Sequence, residues 1–279
     1  SSVDRLLHVW VGAFLAGAFL VLSVHAYYLL KGRYVEISKK GFKIALVVAT
    51  VSSLLQLVLG HSSAEGVAVN QPAKLAAFEG HFDSLAVADM YVMGWVDKES
   101  QTVTGIKVPK GLSFLLHQDF ETPVVGLNAF PEEDRPSQVN AVFQFYHLMV
   151  AIGMALIGMT LLACWFWWRG KLFDTKWLLW AFVWAVILPQ LANQFGWFAA
   201  EMGRQPWVVY GLLRTSDALS KAVTANQVLF SLIMFTFIYT LLLALFLYTL
   251  TKKIMHGPYD EGELEDRNRQ KEMLDGMVG

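Results

Sequence analysis

Ligand-type side chains stand inside two long apolar runs of the sequence. His8 lies near the start of the first run, and Met149 lies within a later one, two residues after His147. Imidazole and thioether groups both serve as axial ligands of haem iron, and a His/Met pair raises the reduction potential. Each residue alone also fits ordinary packing, because membrane histidines hydrogen-bond between helices and methionines fill apolar gaps. We therefore interpret His8 and Met149 as a candidate ligand pair, with packing as the alternative.

A second group lies at the end of another apolar run. Gln194, Trp197, Glu201 and Arg204 follow the spacing i, i+3, i+7, i+10 and share one face of a continued helix. A carboxylate and a guanidinium beside an indole can hold an iron or a haem propionate. The alternative is an interfacial aromatic residue with a snorkelling ion pair.

A lysine and a glutamate stand five residues apart in the longest polar segment. Lys74 and Glu79 could bind the ring oxygens of a quinol and accept its protons, since oxidation of a quinol needs a polar anchor and a base near the membrane edge. A pair of solvated surface charges is the alternative.

Composition narrows the class of protein that must position these groups. Of the 279 residues, 55% are hydrophobic and 16% are charged, and the mean hydropathy is +0.44; soluble domains carry roughly 25% charged residues. The net charge of -1 comes without a dense basic face, which argues against a nucleic-acid partner. A single cysteine, Cys164, excludes an internal disulfide, a CxxC clip and a covalently attached c-type haem.

Five apolar runs are long enough to cross a hydrocarbon core, which takes about 20 helical residues. The sequence therefore predicts an all-α integral membrane fold with five transmembrane helices. The second run is the shortest, and a buried helix of a soluble core is its alternative. The runs are residues 6–30, 42–59, 142–168, 177–200 and 228–250.

Basic residues cluster in three short connections on one side of this alternation. The positive-inside rule assigns that side to the cytoplasm, so the amino terminus is expected outside and the carboxyl terminus inside. The long segment of residues 61–138 is then an extracytoplasmic loop, with functional significance expected from its length. The basic residues are Lys31, Arg33, Lys39, Lys40 and Lys43, then Arg169, Lys171 and Lys176, then Lys252 and Lys253.

The predicted organisation has four parts. Residues 1–60 form the first two transmembrane helices, residues 61–138 the loop, residues 139–250 three further helices and residues 251–279 a cytoplasmic tail. The charge run at residues 259–267 indicates a disordered or surface-helical end. The start has no basic region before a short apolar stretch and no cleavage site, so we expect it to begin in mid-protein and not with a signal peptide.

Four sequence blocks resemble the large subunit of cytochrome bd quinol oxidases, and they occur in the same order along the chain. The resemblance extends from the first residues to about Pro258. The most specific block is GRQPW after GWF, at residues 203–207 and 196–198. The others are His8 with the run to YYLLKGR at residues 27–33, KLAAFE at residues 74–79 and TPVVGL at residues 122–127.

The resemblance implies a role for each candidate residue. His8 and Met149 would be axial ligands of a low-spin haem b, and Glu201 would ligate a high-spin haem b. Trp197 would lie between haems, and Arg204 would stabilise haem propionates. Lys74 and Glu79 would belong to a quinol-binding loop of the shorter kind found in the family.

Two departures from the family pattern affect the functional expectation. His147 stands where relatives carry a different basic residue, so it would compensate a propionate or compete as a ligand. About four helices that precede the position of His8 in the family, and carry the histidine of haem d, are missing. The chain resembles only the latter part of that subunit, and oxygen reduction would need a partner chain that supplies those helices.

The leading expectation is a subunit of a quinol:oxygen oxidoreductase in the bacterial cytoplasmic membrane. It would oxidise quinol at the outer face and pass electrons through b haems to an oxygen-reducing haem. The resemblance implies that this is haem d, shared with or ligated by a partner chain. A second oxidase subunit and small single-helix subunits are expected partners. The first alternative is a b-haem electron-transfer module without its own oxygen site. The second is a haem-free scaffold or a transporter bundle.

Overall fold

The fold is built from long apolar helices. The computed structural model describes residues 2–84 and 87–258. Five helical segments in this part of the chain are long and apolar enough to cross a membrane, which confirms the predicted five-span helical fold. The helices of these segments are α1 (Ser2–Leu30), α2 (Val35–Asn70), α5 (Val139–Trp168), α6 (Lys176–Ala185) followed by α7 (Leu188–Arg204), and α8 (Ala225–His256).

One apolar core joins α1, α2 and α6. The buried residues of α1 recur every three or four positions, as expected for one face of a helix. Phe182 of α6 packs against Phe19 of α1 and Phe42 of α2, with ring centroids 6.0 and 5.2 Å apart. Van der Waals packing of this kind holds helices together in lipid, where no water is released by their association. The core residues of α1 include Leu15, Phe19, Leu22 and Ala26.

Four helical segments form a ring. Helix α1 contacts α2 and α6, α2 contacts α5, α5 contacts α7, and α7 contacts α1. Helices α1 and α5 therefore stand at opposite corners. The segment predicted as one helix over residues 177–200 is interrupted between α6 and α7, where Pro189 lies in the first turn of α7. Proline lacks the N–H of a helix interior and is tolerated in a first turn, which accounts for the break.

The second helix is longer than hydropathy predicts. It continues to Asn70, past the predicted boundary at residue 60, so the polar segment begins later than residue 61. Nε2 of His61 and Oε1 of Glu65, one turn apart, are in contact at 3.3 Å within this extension. Pro72 then begins α3 (Pro72–Glu79). The residue before a proline is disfavoured in helical conformation, so the chain turns at Gln71.

The polar segment after α3 contains further regular structure. A β-hairpin of β1 (Met90–Asp97) and β2 (Thr102–Val108) is followed by α4 (Gly111–His117). The two strands are antiparallel, with Met90 opposite Val108 and Asp97 opposite Thr102. A second, shorter antiparallel pair, β3 (Trp207–Val209) and β4 (Leu213–Arg214), follows α7.

The chain divides into two compact units, Ser1–Leu219 and Ser220–Gly279. In the second unit α8 begins at a capping box, in which the main-chain N–H of Thr224 donates a hydrogen bond to Gln227 Oε1. The charge run predicted to be a solvated end, residues 259–267, lies outside the described residues.

Candidate functional site

Helix α3 is packed tightly against α5 and α7. Gly203 of α7 is buried, and a Cβ added there would lie 3.2 Å from Lys74 Cγ, 3.2 Å from Phe78 Cε1 and 3.3 Å from Val142 Cγ1. A larger residue would push α3 away from α7. The absence of a side chain at Gly203 thus lets the helix that carries Lys74 and Glu79 approach the transmembrane helices.

Glu79 is a buried carboxyl group. The residue is 3% exposed, and its Oε2 atom has no hydrogen-bond partner among the described residues. Burial raises the pKa of Glu79 from 4.5 to about 7, and a hydrogen bond from the hydroxyl of Tyr146 partly offsets this rise. A carboxyl group that titrates near neutrality can both accept and release a proton at physiological pH.

Lys74 lies on the same short helix, five residues before Glu79. Its ammonium group is 5.5 Å from the centroid of the Phe78 ring, within cation–π range. Burial lowers the pKa of Lys74 from 10.5 to about 8, and the nearby cations Arg5 and Arg204 lower it further, while Glu201 opposes them. Lys74 therefore lies close to residues from α1 and from the end of α7.

An aromatic pair lies next to the charged groups. The rings of Phe78 and Tyr146 are stacked, with centroids 4.6 Å apart and planes 8° from parallel. Tyr146 thus contacts α3 twice, through its ring and through its hydroxyl group at Glu79. Cation, base and aromatic surface together can bind an aromatic hydroxyl compound, donate a hydrogen bond to one oxygen and remove a proton from another.

Helix α7 presents two different faces. Gly196, Ala199 and Gly203 point towards the packed side, and Ala199 is 1% exposed. Trp197 and Glu201 lie on an exposed face, as their shared spacing predicts.

Arg204 forms an ion pair with Glu201, and its buried Nε atom has no hydrogen-bond partner among the described residues. The carboxylate of Glu201 is thus held at the helix end, with a guanidinium N–H left for a further acceptor. An anionic group such as a haem propionate fits this donor.

His8 and Met149 lie at opposite corners of the helix ring. One nitrogen of His8 is 2.8 Å from the side-chain amide nitrogen of Gln56 on α2, and the other, Nδ1, is buried without a partner among the described residues. Because the amide nitrogen can only donate, Nε2 accepts this hydrogen bond and Nδ1 carries the proton, so a haem iron bound at His8 would take the place of the amide N–H or of that proton.

The surroundings of two glycines indicate that His8 and Met149 lie at a similar height along the helix axes. A Cβ on Gly196 of α7 would be 2.8 Å from the sulfur of Met149, and a Cβ on Gly12 of α1 would be 3.2 Å from Asn193 of α7. Asn193 is one helical turn from Gly196, and Gly12 is one turn from His8. His8 and Met149 therefore lie at a similar depth along the helices, at opposite corners of the ring.

His147 does not point to these residues. Its ring nitrogens face two main-chain carbonyl oxygens, that of Phe143 at 2.9 Å and that of Tyr91 at 2.6 Å. Neither expected role, propionate compensation or competition as a ligand, matches these contacts.

Comparison with known proteins identifies the family. A sequence model described as cytochrome bd terminal oxidase subunit I matches residues 1–258. The chain belongs to the cytochrome bd oxidase subunit I family.

Relatives within the family match most of this chain. The cytochrome bd ubiquinol oxidase subunit 1 of Bacillus subtilis is 36% identical over 260 residues, covering 90% of this chain and 56% of the relative. A putative cytochrome bd menaquinol oxidase subunit I of the same organism is 36% identical over 262 residues, covering 91% and 58%. The cytochrome bd-II ubiquinol oxidase subunit 1 of Escherichia coli is 28% identical over 323 residues, covering 92% and 63%.

A solved bd oxidase has the same fold. The structure from Geobacillus thermodenitrificans superposes with a TM-score of 0.80 at 27% identity, covering 91% of this chain and 58% of that one. The chain spans less than two thirds of the length of the curated relatives it matches.

Sequence reasoning missed three contributors to the site. Tyr146 adjoins His147 and was not singled out, although a tyrosine near the outer end of an apolar run could have been noticed. Gln56 is an amide within a span, which by its cost in lipid is a signal of a polar contact. Gly203 gave no signal of its own, because its packing role depends on residues far away in the sequence.

Proposed function

We propose that this bd oxidase chain is a subunit of a quinol:oxygen oxidoreductase, which oxidises quinol at the outer membrane face and passes electrons through b haems to an oxygen-reducing haem. The observation that carries the proposal is α3, which holds the buried carboxyl group of Glu79 and the half-buried Lys74 against two membrane helices. Membership of a family that includes ubiquinol oxidase subunits supports the substrate class.

The loop residues would divide the chemistry of quinol oxidation between them. Conversion of a quinol to a quinone breaks two O–H bonds and releases two protons and two electrons. Lys74 would donate a hydrogen bond to one ring oxygen, and Glu79 would accept the proton of the hydroxyl group on the other; the proton of the first hydroxyl group would leave to water at the outer face. With a pKa of about 7, Glu79 can then release that proton to the outside. Tyr146 would hold the carboxyl group in place through its hydroxyl.

His8 and Met149 would hold a low-spin haem b, and Glu201 a high-spin haem b. A bound haem would supply a one-electron acceptor beside the quinol site. Trp197 would pack between haems, and Arg204 would donate to a propionate. The orphaned nitrogens of His8 and Arg204 support these roles, because each has a hydrogen-bonding or ligating capacity that no described residue satisfies.

The orientation follows from the basic connections. The chain would lie in the bacterial cytoplasmic membrane with its amino terminus outside, so that the segment of residues 61–138 is extracytoplasmic. The connection after α1 and the connection between α5 and α6 carry the basic residues that favour the cytoplasmic side.

Partner chains would complete the enzyme. Another chain would supply the haem d ligand, in keeping with membership of the oxidase subunit family. A second oxidase subunit and small single-helix subunits would also be present.

Single substitutions test the proposed haem ligands and the proposed quinol site separately. His8→Ala and Met149→Ala should each remove the low-spin b spectrum from the assembled, detergent-purified complex, while Met154→Ala, at an exposed position of the same helix, should not. Glu79→Gln should slow oxidation of added quinol and leave the haem content intact. Unchanged spectra in both ligand variants would refute the ligand assignment, and normal quinol turnover in Glu79→Gln would refute the loop assignment.

A further inference from the structure

Helix α5 carries a polar seam that binds the main chain of the β-hairpin. Asn140, Gln144 and His147 follow the spacing i, i+4, i+7 and share one face of the helix. Each side chain contacts a main-chain group of β1. Val96 N–H donates to Asn140 Oδ1 at 3.1 Å, Gln144 Nε2 donates to Gly94 O at 2.7 Å, and His147 Nε2 is 2.6 Å from Tyr91 O.

The three main-chain groups lie on one edge of β1. Gly94 and Val96 are two residues apart and so direct their peptide groups the same way along the ladder. The pairing with β2 shifts between Tyr91 and Met93. In a regular strand, peptide groups three residues apart point to opposite edges. An extra residue of this kind reverses that alternation, so the carbonyl of Tyr91 points to the same edge as that of Gly94. The seam thus satisfies the edge that β2 leaves unpaired.

This hairpin covers the residue that follows Glu79. A Cβ on Gly80 would lie 2.9 Å from a methyl group of Val96 in β1 and 2.9 Å from one of Val103 in β2. Gly80 has a positive φ of 63°, which a side chain would disfavour. The chain therefore turns directly beneath the hairpin, and the hairpin helps to exclude water from Glu79.

We propose that the seam of Asn140, Gln144 and His147 is a latch that seats the hairpin over Glu79, and that His147 is a positioning residue for quinol oxidation. The second part rests on the proposed function of the loop. His147 acts through the hairpin and not through contact with quinol or haem. A neutral imidazole donates through one nitrogen at a time, and the shorter of its two carbonyl contacts is the one that crosses to β1.

Loss of the latch should loosen the hairpin and weaken quinol binding. One hydrogen bond contributes about 1 kcal/mol net, which corresponds to roughly five- to tenfold in a local opening equilibrium. We expect His147→Leu to speed amide hydrogen exchange over residues 91–96 by about that factor. The KM for quinol should rise several-fold, because the cover over the carboxyl group would be seated for a smaller fraction of the time.

The experiment uses the assembled complex and three further variants. His147→Gln retains an N–H donor and should recover most of the wild-type exchange rate and KM. Gln144→Leu removes a second bond of the seam and should reproduce the loosening, which keeps the test available if His147→Leu does not assemble. His117→Leu removes an exposed imidazole from the same loop and should change neither quantity.

Three results would overturn the proposal. Unchanged exchange over residues 91–96 in both His147→Leu and Gln144→Leu would refute the latch. Faster exchange with an unchanged KM would refute the positioning role. Loss of the low-spin haem spectrum without faster exchange would indicate that His147 acts at the haem instead. Failure of the proposed quinol site is separate, since it would be seen as normal turnover in Glu79→Gln while the exchange measurement still reports on the latch.

Discussion

Glu79→Gln should stabilise the protein at neutral and alkaline pH while it slows quinol oxidation. Glutamine has the shape of the protonated carboxyl group and can still accept the hydrogen bond from Tyr146, but it cannot ionise. The buried position of Glu79, with one oxygen unpaired among the described residues, penalises the charged form in the folded state. The variant removes this penalty and also removes the proposed base.

The expected gain in the free energy of unfolding follows from the shift in the pKa of Glu79 from 4.5 to about 7. Below pH 4.5 the group is protonated in both the folded and the unfolded chain, so the variant and the wild type should have similar stability. Between pH 4.5 and about 7 the unfolded carboxyl ionises first, and the stability of the wild type falls as the pH rises. Above that range the full penalty is roughly 3 kcal/mol.

Thermal unfolding of the detergent-purified complex at pH 5 and pH 8 tests this difference. The melting temperature of Glu79→Gln should exceed that of the wild type by a larger margin at pH 8 than at pH 5. Glu99→Gln, which removes an exposed carboxylate at the hairpin tip, should show no such pH-dependent gain. An equal margin for Glu79→Gln at both pH values would refute the burial argument.

Three further outcomes are expected. Gly203→Ala should destabilise the fold by about 1–3 kcal/mol through overpacking and should slow quinol turnover. Gly17→Ala, with no atom within 4 Å of the added carbon, should have neither effect. Equal unfolding curves for the two variants would contradict this prediction. Gly196→Ala should displace the methionine sulfur and alter the low-spin haem spectrum, and Gly153→Ala, which also meets nothing within 4 Å, should leave it unchanged. The KM for quinol should rise as the pH passes about 8, where Lys74 loses its proton; a Lys74→Arg variant without that rise is the control, and a flat wild-type profile would contradict the anchor role.

Hydropathy predicted the number of spans but not their ends. Apolar side chains are needed only where a helix crosses lipid, so the polar extension of α2 to Asn70 leaves no signal in an apolar window. The β-hairpin was not predicted either. Its strands depend on pairing between Met90 and Val108 and on the edge contacts with α5, which are long-range and do not appear in the local pattern.

The sequence predicted which residues form the candidate site, but not how deeply they are buried or what they contact. Lys74 and Glu79 were identified from their positions in the polar segment and from the resemblance. Their burial depends on Gly203 and on the stacking of Phe78 with Tyr146, which join three helices. The contact of His147 with Tyr91 could not be predicted for the same reason, because the two residues are distant in the sequence. Membrane orientation and haem assignments stay predictions.

A dithionite-reduced-minus-oxidised visible spectrum of the purified complex, with its subunits separated and identified, tests the central claim most directly. We expect low-spin b, high-spin b and d signals, together with a co-purifying chain that carries the helices found before the position of His8 in the family. A spectrum with b haem alone would favour the electron-transfer module. A complex without any haem signal would contradict the oxidase function.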